Sequence, residues 1–134
     1  MLQLWKECEG AKSIVISGHI RPDGDCVGSC MAAYLYLKKV MPQADIRVIL
    51  EQPSEIFSCI KDFDKIENDC QTELAPDIFI ALDCEKTRLG EAVALFDKAK
   101  KRINIDHHIS NSKGCGDVNY VEPTASSTAE LIYT

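Results

Sequence analysis

Short runs of consecutive apolar residues alternate along this chain with longer segments in which apolar residues recur at helical spacing. Two of the runs, in KSIVIS and DIFIAL, are apolar enough to be buried on both faces of a sheet. Such strands are typical of parallel sheets that helices cover on both sides. The pattern predicts five strands, at residues 12–17, 46–50, 77–82, 102–105 and 118–121.

Helical periodicity is clearest over residues 24–40, where Val27, Met31 and Leu35 share one face and Pro42 follows the last turn. Shorter helices are predicted between and around the strands. They cover residues 2–8, 54–60, 91–101 and a segment that Pro123 and Thr124 open, in which Ser127 and Glu130 have capping-box spacing.

From the first predicted strand to the fourth, the elements follow the order βαβαβαβ. This order predicts an α/β fold, a three-layer αβα domain around a mainly parallel sheet. The 134 residues, 46% hydrophobic and 27% charged, fit one globular domain with a core of its own. Any metal in such a domain is expected to serve chemistry and not to hold the fold together.

The net charge of the chain limits the kinds of partner that it can bind. The chain carries 21 acidic against 15 basic residues, a net charge of −6, and proteins that grip long nucleic acids by their phosphates normally carry the opposite sign. We therefore expect no long nucleic acid as a partner. Small anionic substrates stay possible, because bound divalent cations reverse the local potential of carboxylates.

Cysteine usage and hydropathy bear on the compartment. The seven cysteines include no CxxC pair, and the first residues contain no apolar signal-peptide region. No apolar run reaches the roughly 18 residues that cross a bilayer. We expect a cytoplasmic protein without a membrane partner.

Polar side chains follow three of the predicted strands directly. In open α/β sheets, binding sites form beyond the carboxyl ends of the strands, so these residues are expected to meet at one edge. All three histidines of the chain are among them. The set comprises His19, Asp23, Asp25, Asp83, Asp106, His107 and His108.

This set predicts a metal centre, because carboxylates gathered at one edge repel each other unless cations compensate. Imidazole with several carboxylates suits Mn²⁺, with Mg²⁺, Co²⁺ or Fe²⁺ as alternatives. Five or more ligands exceed what one hydrated ion needs, so a dinuclear site bridged by Asp83 is the economical interpretation. Its natural reaction is phosphate ester hydrolysis.

The segments GHIRPDGDCVGS, ALDCE and IDHHISN resemble three motifs of the DHH phosphoesterase family. The resemblance extends from about Ser13 to the end of the sequence. The segment DVNYVEPTASSTAELIY is similar to the branch that contains the nanoRNase and 3′-phosphoadenosine-5′-phosphate phosphatase enzymes. RecJ-like nucleases and family II pyrophosphatases are more distant relatives.

The resemblance implies roles for individual residues. One Mn²⁺ is held by His19, Asp23 and Asp83, and the other by Asp25, Asp83 and His107, so that Asp83 bridges them. His108 contacts the scissile phosphate, and Asp106 fixes a neighbouring imidazole. Asp83, His107 and His108 are the expected catalytic residues. Arg21 is a further candidate for a phosphate contact.

The family also has a fourth motif with another metal-binding aspartate and a C-terminal DHHA1 domain. Neither matches a segment of residues 1–134. We therefore expect this chain to be the N-terminal portion of a longer enzyme, with weak or no activity alone. Apolar surface that the second domain would cover predicts association, including a possible homodimer.

The first hypothesis is a phosphoesterase that acts on short oligonucleotides, linear dinucleotides or nucleoside 3′,5′-bisphosphates. Two alternatives stay open: a family II-type inorganic pyrophosphatase and a non-catalytic nucleotide-binding module. Residues 126–128 either cap a helix or bind an anion, and capping is the preferred interpretation. Cys26 and Cys84 directly follow predicted ligands and suggest a redox switch, although buried cysteines mostly act as small apolar residues.

Overall fold

Five parallel strands form one sheet in the order β2-β1-β3-β4-β5 in the computed structural model of the chain. The structure describes residues 4–68, 75–111, 113–125 and 127–133. The strands are β1 (Ser13–Ser17), β2 (Asp45–Val48), β3 (Ile78–Leu82), β4 (Lys101–Asp106) and β5 (Val118–Val121).

Helices cover both faces of this sheet, which confirms the three-layer αβα architecture. On one face, α1 (Leu4–Glu7), α2 (Gly24–Val40) and α4 (Thr128–Tyr133) contribute Leu4, Val27 and Leu131 to a core that includes Ile14 and Ile16. On the other face, α3 (Val93–Lys98) lies over a second core that its own Leu95 and Phe96 help to form.

β3 lies in the centre of the sheet, and all five of its residues are buried. Ile78, Ile80 and Leu82 belong to the first core, whereas Phe79 and Ala81 belong to the second. This alternation explains the uninterrupted apolar run, because both faces of a central strand are covered. Burying each of the large side chains contributes about 2 kcal/mol.

The long helix over residues 24–40 has the predicted bounds. The carboxylate of Asp23 caps its start by accepting a hydrogen bond of 2.9 Å from the backbone N–H of Cys26. The basic side chains of Lys38 and Lys39 occupy its last turn, where positive charge interacts favourably with the helix dipole.

The helix predicted over 91–101 is wrong at its C-terminal end, because α3 ends at Lys98. Ala99 is already extended, and the N–H groups of Lys100 and Lys101 donate to the carbonyl oxygens of Pro76 and Asp77. These long-range hydrogen bonds end the helix and extend the backbone into β4. Residues 91 and 92, which begin the predicted helix, belong to a short 3₁₀ turn over Gly90–Ala92.

The last helix begins at Thr128 and not at Pro123 or Thr124, so this prediction is also corrected. Residues 122–125 form a turn in which the N–H of Ala125 donates to the carbonyl oxygen of Glu122. Ser126 and the Glu130 side chain of the predicted cap lie outside the described part, as do residues 2 and 3 of the first predicted helix.

Strict strand and helix alternation fails between β2 and β3. Within the described part of that connection, short 3₁₀ turns at Glu55–Phe57 and Phe63–Lys65 replace the predicted helix. Ser54 caps the first turn through its side chain. None of the helices in the described ranges combines the length and apolar character of a membrane span.

Candidate metal centre

The carboxyl ends of β1, β3 and β4 meet at one edge of the sheet and bring the predicted polar residues together. His19 follows β1, Asp83 follows β3 directly, and Asp106 is the last residue of β4. Because all the strands run in parallel, their register determines this meeting. Two groups of potential metal ligands result, and both contain Asp83.

Asp83 lies at the centre of the site. Its backbone φ of 63° is left-handed, and its N–H donates to the carbonyl oxygen of Ile105 in the neighbouring strand. The residue is 2% exposed. This turn directs the carboxylate away from the strand and into the space between the ends of β1 and β4.

The first ligand group consists of His19, Asp23 and Asp83. Nε2 of His19 lies 3.2 Å from Oδ2 of Asp83 and 3.5 Å from Oδ1 of Asp23. Nδ1 of the same ring donates to the carbonyl oxygen of Ile20 at 2.7 Å. That hydrogen bond leaves the Nε2 lone pair of the neutral ring for a cation.

The second group, Asp83 with Asp106, His107 and His108, lies on the other side of Asp83, and Asp25 lies next to its His107. Nε2 of His107 is 3.3 Å from Oδ2 of Asp25 and 3.4 Å from Oδ1 of Asp83. The two carboxylates come from different elements: Asp25 lies in the first turn of α2, and Asp83 directly follows β3. The structure thus brings together all five residues that were predicted to bind metal.

Asp106 and His108, which belong to the second group, form a hydrogen-bonded pair with each other. Oδ1 of the fully buried Asp106 accepts hydrogen bonds from Nδ1 of His108 at 2.6 Å and from the backbone N–H of His107 at 2.8 Å. Oδ2 accepts from the side-chain amide of Asn111 at 3.0 Å. Asp106 therefore holds the His108 ring, whose side chain is 43% exposed.

Two buried asparagines support this pair, and sequence reasoning missed both. The side-chain oxygen of Asn104 accepts hydrogen bonds from Asn111 and from the N–H of Cys115. Its amide donates to the carbonyl oxygens of Ala81 and Cys84. An asparagine within the apolar run RINI was the available signal.

Thr128 is a further site residue whose role was interpreted as capping. Its hydroxyl donates to Oδ1 of Asp83 at 2.9 Å, and its backbone N–H donates to Oδ2 of Asp25 at 2.9 Å. Thr128 is fully buried. The start of α4 thus binds two protein carboxylates of the site.

The electrostatics reflect a concentration of acid groups. Burial is the largest cause that raises the pKa of Asp83, and the neighbouring Asp25 adds to it. The hydrogen bond to Asp83 raises the pKa of His19 to about 9. In the metal-free protein a proton on His19 thus supplies positive charge among these carboxylates.

This donor set fits a divalent cation. An octahedral ion with ligands at about 2.1 Å separates neighbouring ligand atoms by about 3 Å, close to the spacings of 3.2 and 3.5 Å around His19 Nε2. Imidazole nitrogen and carboxylate oxygen are suitable donors for Mn²⁺ and related ions. The chemistry and spacing therefore agree with the predicted ligands.

Two other candidates lie next to predicted ligands, and the phosphate contact of Arg21 stays a prediction. Arg21 is exposed with a left-handed φ of 50°, and its backbone N–H donates to Oε1 of Glu51. Cys26 and Cys84 are buried, and burial raises the pKa of the Cys84 thiol. A thiol that stays protonated is a poor nucleophile, which opposes a redox role for Cys84.

Residues 13–134 match the family model described as the DHH family, N-terminal domain. The chain is also 26% identical over 121 residues to the bifunctional oligoribonuclease and PAP phosphatase NrnA of Bacillus subtilis. That alignment covers 90% of this chain and 37% of NrnA.

A second relative is the cyclic-di-AMP phosphodiesterase PdeA of Listeria monocytogenes, with 25% identity over 89% of this chain and 20% of PdeA. Among solved structures, an exopolyphosphatase-related protein from Bacteroides fragilis superposes with a TM-score of 0.83 and 27% identity. The superposition covers 96% of this chain and 40% of that one. The chain thus spans well under half the length of these relatives.

Proposed function

Because the chain belongs to the DHH family, we propose that it carries the metal centre of a phosphoester hydrolase for short nucleotides. The substrate class comprises short oligonucleotides, linear dinucleotides and nucleoside 3′,5′-bisphosphates. The names of the relatives, an oligoribonuclease and a cyclic dinucleotide phosphodiesterase, support phosphoester chemistry. The net charge of −6 favours small substrates over long polymers.

The position of Asp83 is the observation that carries this proposal. Its two carboxylate oxygens face different imidazoles, Oδ2 toward His19 and Oδ1 toward His107. A carboxylate between two ligand groups is the arrangement that a bridged pair of cations requires. We assign His19, Asp23 and Asp83 to one ion and Asp25, Asp83 and His107 to the other.

When bound, Mn²⁺ ions supply a water of lowered pKa and neutralise phosphate charge during displacement at phosphorus. The chain's residues orient this chemistry. Asp106 accepts a hydrogen bond from Nδ1 of His108 and so orients the ring, with Nε2 on the opposite edge. With both ring nitrogens protonated, the exposed His108 is positioned to donate from Nε2 to a phosphate oxygen, and Thr128 fixes the Asp83 carboxylate.

Replacing Asp83 tests the proposal. The native chain is expected to bind two Mn²⁺ ions by equilibrium dialysis and to hydrolyse a linear dinucleotide at a low but measurable rate. The Asp83→Asn variant should lose bound Mn²⁺, and its hydrolysis rate should fall at least about a hundredfold, because both ions share this ligand.

The exposed Asp64 provides the matched control. Asp64→Asn removes the same charge and should leave Mn²⁺ binding and hydrolysis unchanged. Unchanged Mn²⁺ stoichiometry in Asp83→Asn contradicts the bridging assignment. Hydrolysis of inorganic pyrophosphate alone, with no cleavage of the dinucleotide, supports the pyrophosphatase alternative instead.

A further inference from the structure

A cavity of about 330 Å³ opens beside the metal centre, beyond the carboxyl ends of β1 and β2. We refer to it as the β1–β2 cavity; its lining includes Ile20, Ile49, Glu51, Leu89 and Glu91. His19 also lines it, so one ring borders both the cavity and the candidate metal site. The volume lies within the range of about 300–1,000 Å³ that small-molecule sites occupy.

One part of the cavity wall is apolar and firmly held. The backbone N–H of Ile20 donates to the carbonyl oxygen of Arg88 at 2.9 Å, which ties this wall to the turn before Leu89. A Cβ atom at Gly90 would lie 2.7 Å from Cγ2 of Ile20, so the two segments are in close contact. A flat apolar ring face can pack against such a wall.

The strand-end side of the cavity is equally well ordered by hydrogen bonds. The hydroxyl of Ser17 donates to the carbonyl oxygen of Ile49 at 2.6 Å. The side-chain amide of Asn68 donates to the carbonyl oxygen of Leu50 at 3.1 Å. A preformed wall lowers the entropy that a ligand must lose on binding.

Charge decides which part of a ligand this cavity accepts. Glu51 and Glu91 contribute exposed carboxylates, and Oε1 of Glu51 already accepts a hydrogen bond from the backbone N–H of Arg21. No lysine or arginine is among the lining residues in the described part of the chain. A phosphate group is repelled there, whereas N–H donors are attracted to carboxylate oxygens. The cavity is thus suited to a neutral ring that carries amino or imino groups.

We propose that the β1–β2 cavity binds the nucleobase of the substrate and selects bases with an exocyclic amino group. The inference rests on the proposed function, because a phosphate at the metal centre brings its attached nucleoside next to His19. Glu51 and Glu91 accept hydrogen bonds from the base, while Ile20 and Leu89 pack against its ring. The cavity gives base preference to a centre that by itself recognises only phosphate.

Matched nucleotide pairs test this preference by isothermal titration calorimetry of the Mn²⁺-loaded chain. GMP and IMP differ only in the 2-amino group, and CMP and UMP differ at the 4-amino position. At least one amino-bearing nucleotide should bind about tenfold more tightly than its partner, as expected for a hydrogen bond to a charged acceptor. Ribose 5-phosphate should bind more weakly than either.

The double variant Glu51→Gln and Glu91→Gln should reduce this preference to less than about threefold. Its control, Glu9→Gln with Glu55→Gln, removes the same charge from exposed positions outside the cavity and should retain the preference. Equal binding within both nucleotide pairs overturns the inference. So does a preference that survives in the cavity variant.

The experiments distinguish a wrong assignment of the cavity from a wrong assignment of the metal centre. Mn²⁺ stoichiometry and hydrolysis of bis(p-nitrophenyl) phosphate, which has no nucleobase, report on the metal centre alone. If the chain binds Mn²⁺ and hydrolyses bis(p-nitrophenyl) phosphate but shows no base preference, the cavity assignment is overturned and the proposed function is left intact. Base preference without either metal binding or hydrolysis supports the cavity assignment and contradicts the proposed function.

Discussion

Asp83 combines two features that oppose folding of the metal-free chain. Its left-handed backbone costs about 1 kcal/mol or more in a residue other than glycine, and its carboxylate is almost completely buried among other acids. Burial raises its pKa for the same reason. A bound cation offsets the burial of negative charge, so backbone strain and a raised pKa in the metal-free chain are expected of a metal ligand.

Thr128 illustrates how a single hydroxyl positions that ligand. Thr128→Val keeps the shape of the side chain and the backbone hydrogen bond to Asp25 but removes the bond to Asp83. We expect Mn²⁺ affinity to fall about ten- to a hundredfold, because outer partners of metal ligands contribute on this scale. Isothermal titration calorimetry with Mn²⁺ measures the change.

Thr87 provides the control, since its exposed hydroxyl donates to Oε1 of Glu85 away from the centre. Thr87→Val should bind Mn²⁺ with native affinity. Native affinity in Thr128→Val as well means that the hydroxyl does not position Asp83.

At the scale of elements, β3 and β4 are joined by polar contacts inside an otherwise apolar sheet. Asn104 points from β4 to the carbonyl oxygens of Ala81 and Cys84 and also holds the N–H of Cys115. A buried group that loses its partner costs about 1–3 kcal/mol. The network therefore fixes the turn after β3, where Asp83 lies.

Asn104→Ala should lower the free energy of unfolding by about 2–4 kcal/mol, because it leaves buried polar groups without partners. Urea denaturation measures this loss. Asn119→Ala makes the same chemical change at an exposed residue that also forms two hydrogen bonds, with Gly116, and should cost about 1 kcal/mol or less. Equal losses in the two variants would contradict a special role for the buried network.

The opposite edge of the sheet has its own polar contact. Asp77 precedes β3, and its Oδ2 accepts a hydrogen bond of 2.8 Å from the N–H of Lys12, just before β1. This bond is the main cause that lowers the pKa of Asp77, with Lys100 adding to it. The carboxylate thus links the starts of two neighbouring strands.

The sign of the pH effect follows from that lowered pKa. The contribution of Asp77 to stability is present above its unfolded pKa of about 4 and is lost as the pH falls through the lower, folded pKa. Asp77→Asn should therefore be less stable than the native chain at pH 7, with a smaller difference near pH 3. Urea denaturation at both pH values checks this, and Asp64→Asn, which replaces an exposed acid, should show little difference at either.

For the whole molecule, the acidic surface determines which nucleic acids can approach. A net charge of −6 repels a polymer of phosphates, and cations at the candidate metal centre would attract only a local group. We expect duplex DNA of about 30 base pairs to bind with a Kd weaker than about 100 μM at physiological salt. Fluorescence anisotropy of labelled DNA measures this, and submicromolar binding would contradict it.

Prediction from the sequence succeeded where local pattern and long-range packing agree. The helix over 24–40 was predicted with its observed bounds because its apolar face and Pro42 indicate the same limits that the structure shows, where Asp23 caps the start. The helix over 91–101 was predicted too long because hydrogen bonds to Pro76 and Asp77 act on its last residues. No local signal encodes such partners, since Pro76 and Asp77 each lie 24 residues before the residue that donates to them.

The sequence by itself determined the α/β architecture and the predicted ligand residues that gather at the candidate metal centre. Apolar runs specify buried parallel strands, and polar residues that follow such strands must meet at one edge. Only the tertiary structure decided that Thr128 binds Asp25 and Asp83, that Asn104 and Asn111 support Asp106, and that a cavity lies beside His19. These features depend on contacts between elements distant in sequence, whose distances and angles only the packed sheet fixes.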